Sequence, residues 1–184
     1  MIESAVILLA KQGYRATSFD AVLTASGASR GSIYHHFPGG KDELIAAAMD
    51  LAGQRAILVL DKFEGQSPPA VVDGFMAMWR TVLDRSAFSA GCSVLAVTVS
   101  AETPELRDRA GEIFRAWRSR LAELFVAGGL APNSARAFAT TVVAASEGAV
   151  AQSRAERRYE PFDEVRDQLH DFAAGLVRAA EGGL

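Results

Sequence analysis

Residues 17–37, TSFDAVLTASGASRGSIYHHF, contain two helix starts and one helix stop, and that density of punctuation leaves few folds open. Thr17, with Asp20 three residues on, reads as a capping-box-like start whose hydroxyl accepts a backbone N–H of the first turn. Phe19, Val22 and Leu23 follow as an apolar stripe at helical spacing. Gly27 ends that helix, because glycine takes positive φ without the clash of a Cβ. Ser29 caps a second helix over residues 30–37, in which Ile33 and Phe37 share a buried face four residues apart. Two short helices joined by a three- or four-residue turn containing Gly make a helix-turn-helix, whose second helix enters the DNA major groove.

The rest of the chain reads as helices around this pair. Residues 1–12 put Ile2, Val6, Leu9 and Ala10 on one face before Gly13 stops the helix, closing a three-helix core. Pro38-Gly39-Gly40 is a turn, too short for a phosphate-binding glycine loop. One long helix spans residues 41–63, and the prolines after Gly65 end it and open another that runs to residue 86. The run CSVLAVTVSAE, residues 92–102, has the β-branched composition of a strand, but no partner strand exists elsewhere, so a helix is expected. Further helices are expected over residues 104–128, 133–157 and 162–180. The expectation is an all-α chain of about nine helices, divided into a helix-turn-helix DNA-binding domain at 1–45 and a second helical domain at 46–184.

GYRATSFDAVLTASGASRGSIYHHFPGGKDEL resembles the DNA-binding signature of the TetR family of dimeric transcriptional repressors, most densely in SRGSIYHHFPGGKDEL. The Gly91-Cys92 pair, followed by a small apolar helix and an acidic residue, also resembles the LmrA-like branch of that family. The resemblance implies that Thr17, Ser29, Arg30, Gly31, Ser32, Tyr34, His35 and Lys41 meet DNA. In this assignment Arg30 and Ser32 read bases, Gly31 permits close approach, and Tyr34, Lys41 and Thr17 hold phosphates. It further implies that the last two helices build a four-helix bundle with a second subunit through Phe138, Val142, Ala145, Ala149, Val165, Leu169, Phe172 and Leu176. The alternative is that these side chains only finish the monomer's own core. Relatives carry basic residues ahead of the first helix, whereas this chain starts at Met1 almost inside it. Either that arm is dispensable or the start is truncated.

A net charge of −3 means that DNA contact must come from a few placed cations, not from a field over the molecule. A single cysteine, Cys92, excludes an intrachain disulfide and any CxxC metal or redox motif. His35 and His36 diverge by about 100° on a helix and cannot chelate together, so no metal site is expected. No catalytic constellation is present, no cofactor is implied, and neither a membrane span nor a signal peptide is seen. The expected setting is the cytoplasm.

Large soft side chains spread over several helices of the second domain either fill a core or line an apolar pocket. Phe75, Trp79, Cys92, Leu95, Phe114 and Trp117 are the candidate lining of such a pocket, for a small apolar or aromatic effector. Ser146, Glu147 or Thr141 would supply a polar anchor. The expected function is a repressor, homodimeric on a pseudo-palindromic double-stranded operator and released by that effector. The alternative is a ligand-binding protein whose DNA-binding head no longer works.

Overall fold

Every regular element among the described residues, 1–181 of a computed structural model, is helical, as the spacing of apolar residues predicts. Nine α-helices follow in order, with a short 3-10 turn at Asp61–Phe63: α1 Ile2–Ala16, α2 Phe19–Ser26, α3 Arg30–His36, α4 Lys41–Leu60, α5 Pro68–Ser86, α6 Ser93–Thr98, α7 Pro104–Ala127, α8 Pro132–Glu156 and α9 Glu160–Glu181. None of them is long and apolar enough to cross a membrane. The chain divides into two compact units. One comprises Met1–Arg55 and Ala90–Ile113; the other takes Ala56–Ser89 and the chain from Phe114 onward. The boundary falls inside α4 and again inside α7.

In the first unit, α1 is broken at Gly13, which leaves the helix at φ +78° and lets one more turn run to Ala16. Ala5 and Leu9 from α1, Val22 from α2, Ile33 from α3 and Ile45 and Met49 from α4 are fully buried together with Val94 and Val97 of α6. α6 packs along α1, and the Gly91 N–H donates to the Ala10 carbonyl at 2.9 Å. The 92–102 segment is helical only from Ser93 to Thr98, with Cys92 as its N-cap, its Sγ accepting from the Leu95 N–H at 3.3 Å.

One local expectation is corrected. The cap of α2 is Ser18, not Thr17: the Ser18 Oγ accepts from the Ala21 N–H at 3.1 Å. The break at Gly13 takes its carbonyl out of the helical ladder, and the Thr17 hydroxyl, fully enclosed, donates to it at 2.8 Å.

The second unit is built on α5, α8 and α9 with the later part of α7. Pro68 and Pro132 open α5 and α8, where a missing N–H costs nothing. Phe75, Trp117, Phe125, Phe138 and Phe162 are its largest fully buried side chains. Gly74 lets the ring of Phe63 lie directly on α5; a Cβ there would fall 1.9 Å from Phe63 Cζ.

Candidate nucleic-acid interface

Ile33 and Phe37 anchor α3 to the first unit, and the opposite side of the same helix is left outward. That side carries Arg30, Gly31, Tyr34 and His35 exposed, with Ser29 exposed just before it and Ser32 half-buried. The Ser29 Oγ accepts from the Ser32 N–H at 3.2 Å, so it fixes the first turn while its own O–H remains available to donate. Gly27 closes α2 in the left-handed conformation at φ +69°, which sets the tight passage between the two helices. The Tyr34 ring stands edge-on against Phe19 with centroids 5.4 Å apart, holding its exposed phenol on the α3 surface. Small hydroxyls, a guanidinium, a phenol and an imidazole on a helix with no bulky side chain at Gly31 are suited to hydrogen-bonding base edges and phosphates.

Lys41 and Thr17, both assigned to DNA, are engaged with backbone carbonyls of α1. The Lys41 Nζ donates to the Tyr14 carbonyl at 2.7 Å and lies 3.9 Å from the Tyr14 ring centroid. Burial lowers its pKa, partly offset by Asp42 and Glu102. The Thr17 hydroxyl is committed to Gly13, as above. A phosphate would have to compete with these contacts. Around them lies a network that sequence reasoning missed: the Tyr14 phenol donates to Asp42 Oδ1 at 2.7 Å and the Thr103 hydroxyl to Asp42 Oδ2 at 3.2 Å. Its members are 28 and 61 residues apart in sequence, and nothing local announces such pairs. Beside it opens a cleft of about 500 Å³ lined by Asp42, Glu43, Asp50, Glu105, Leu106 and Arg109, with Asp50 holding the Arg109 guanidinium through two hydrogen bonds. Four carboxylates make this cleft unfit for DNA.

His35 and His36 lie with ring centroids 5.4 Å apart, and no group of metal-ligating side chains occurs among the described residues.

The candidate ligand residues separate. Phe75, Trp79, Trp117 and Phe114 form one continuous aromatic cluster in the second unit, each pair edge-on at 5.4–6.3 Å between centroids. Cys92 and Leu95 belong to the first unit. The Trp79 Nε1–H is buried without a hydrogen-bond partner. Of the polar anchors, Ser146 donates to the Val143 carbonyl at 2.9 Å, Thr141 is exposed, and Glu147 is a buried carboxylate.

The candidate dimer residues also divide. Phe138, Val142, Ala149 and Leu169 are buried within their own unit. Phe138 lies between Phe125 and Phe172 at 4.9 and 5.4 Å. Phe172 is exposed, and Ala145, Val165 and Leu176 are half-buried.

Comparison with known proteins agrees with this geometry. Residues 1–55 match the family of bacterial regulatory proteins named for TetR, and residues 68–168 match the C-terminal domain of LmrA/YxaF-like transcriptional regulators. An uncharacterised helix-turn-helix transcriptional regulator of Mycobacterium tuberculosis is 34% identical, covering 94% of this chain and 91% of its own. The regulator LmrA of Bacillus subtilis is 27% identical over 94% of both chains. Among solved structures, the regulatory protein TetR from Rhodobacter sphaeroides superposes with a TM-score of 0.83 at 24% identity, covering 92% of this chain and 95% of the other.

Proposed function

The chain belongs to the TetR family of transcriptional regulators, which are not enzymes, and on that premise we propose that it is a ligand-released, homodimeric DNA-binding repressor. The observation that carries the reading is the outer face of α3, where Ser29, Arg30, Ser32, Tyr34 and His35 cluster around Gly31 on a helix fixed by its own cap and by two buried anchors. Residues 1–45 read the DNA, and residues 46–184 bind the effector and pair the subunits. Two such faces on a homodimer, about 34–36 Å apart or a multiple of that, match a pseudo-palindromic operator.

The effector is a small, mostly apolar aromatic molecule carrying a hydrogen-bond acceptor. Phe75, Trp79, Phe114 and Trp117 supply the apolar surface, and the Trp79 N–H supplies the donor. It releases DNA by favouring a dimer geometry that no longer fits the operator spacing. Its leverage is its difference in affinity for the two states, typically about 1–3 kcal/mol. Ligand entry next to two tryptophans should change their fluorescence, which gives a direct titration.

The test is selection of genomic fragments by the purified protein at moderate salt, followed by sequencing of the bound pool. Enrichment of one palindrome is the expected result, and a folded dimer that enriches none sinks the reading. Arg30→Ala should then relax the preference at one base pair per half-site, a loss of about 1–3 kcal/mol of discrimination.

A further inference from the structure

We propose that Asp20 is a specificity-determining residue that acts through Arg30, holding its guanidinium off the phosphates and aiming it at base edges. The proposal rests on the DNA-reading assignment of α3 made above. Asp20 is the only carboxylate among residues 12–41, the stretch that forms the helix pair and its flanks. It sits in the first turn of α2 and pairs with Arg30 in the first turn of α3, through Arg30 Nη2 and Asp20 Oδ1.

Stability does not account for the pair. Its side chains are 66% and 72% exposed, and ion pairs that open to water contribute next to nothing to folding. On a surface facing a polyanion, a carboxylate also repels every DNA sequence alike. What it can gain is discrimination. An arginine with no partner swings to the nearest phosphate, and every sequence offers one. With one arm of its fork held by Asp20, the guanidinium has a set direction, as its paired bonds to guanine O6 and N7 require. A repulsive element that lowers all binding and is recovered only on the right sequence is a general route to specificity.

The experiment compares full-length wild-type protein with Asp20→Asn across a salt series. The probes are the palindrome that the wild type enriches and a random-sequence duplex of equal length. Asp20→Asn should bind the random duplex more tightly, with a log–log salt slope steeper by about 0.9 per recognition helix, as one further phosphate contact implies. The ratio of palindrome to random affinity should fall at least about fivefold. Asp20→Glu should keep the ratio, and in an Arg30→Ala background Asp20→Asn should strengthen binding to both duplexes alike and leave their ratio unchanged. The inference is overturned if Asp20→Asn leaves ratio and slope unchanged, shifts both duplexes equally, or keeps its effect on the ratio without Arg30. Wild-type protein that enriches no palindrome removes the DNA-reading assignment, and this inference with it; a failed pairing leaves that enrichment intact.

Discussion

Ser29 shows how much one side chain settles. It ends the turn, caps α3 through the Ser32 N–H and stands at the outer surface of the same helix. Ser29→Ala should cost about 0.5–2 kcal/mol of stability, read as a lower denaturation midpoint, and should weaken DNA binding as the first turn frays. Ser29→Asp separates the two roles: the carboxylate still caps, so the midpoint should hold, while its charge lowers affinity for every duplex. Equal midpoints for wild type and Ser29→Ala would mean that the cap does not hold this helix. Gly74 is the sharper structural case, since any Cβ meets the Phe63 ring. Gly74→Ala should cost about 1–3 kcal/mol by overpacking, checked in the same denaturation experiment. Ser29 and Gly27 were legible in sequence because capping and positive φ are local matters. Thr17 was mistaken for a cap because the carbonyl that claims its hydroxyl is freed by a backbone break at Gly13, which sequence does not display.

Among elements, the junction of α1, α4 and the segment before α7 is held by polar groups around Asp42. Tyr14 and Thr103 each donate to one of its oxygens, and Lys41 caps the end of α1 from the next position along. Burial, reinforced by the hydrogen bond and charge of Asp42 and by the charge of Glu102, pushes the Tyr14 phenol from 10.0 up to about 12. The fold favours the neutral phenol, so this stabilisation is complete below about pH 10 and is lost as the pH rises towards 12. Tyr14→Phe should be less stable than wild type at pH 8, yet lose stability less steeply between pH 10 and 12. Lys41, lowered by burial, titrates nearby with the opposite sign, so the two proteins' slopes should be compared, by urea midpoints at a series of pH values. Parallel curves would show that the phenol is not shifted. Helix existence and the starts of α5 and α7 were readable here, since Pro68 and Pro104 mark them directly. The network was not, because it joins residues from three distant parts of the chain.

For the whole molecule, the central question is which side of α8 and α9 faces another chain. An apolar stripe reads the same whether its partner comes from its own chain or from a second one. Phe138, Val142, Ala149 and Leu169, which the family resemblance assigns to a second subunit, are buried within the chain's own unit. The other side of the same helices is a different surface. On α8 it presents Ala137, Thr141, Ala144, Gly148 and Ala151, alternating by four and three residues and small enough to let a helix approach closely. On α9 it presents Val165, Phe172 and Leu176, with Phe172 56% exposed although it touches Phe138 beneath. A subunit interface in the proposed homodimer belongs there. Phe172→Glu should leave the monomer folded, with a small change in stability, and abolish the dimer at micromolar concentration, as measured by light scattering on a sizing column. Operator binding should fall with it, because a single head loses the second half-site. Phe138→Ala should behave in the opposite way, costing about 3–5 kcal/mol of folding stability as a buried aromatic side chain is removed. If Phe172→Glu remains dimeric and Phe138→Ala is the variant that dissociates while staying folded, the two faces have been assigned the wrong way round.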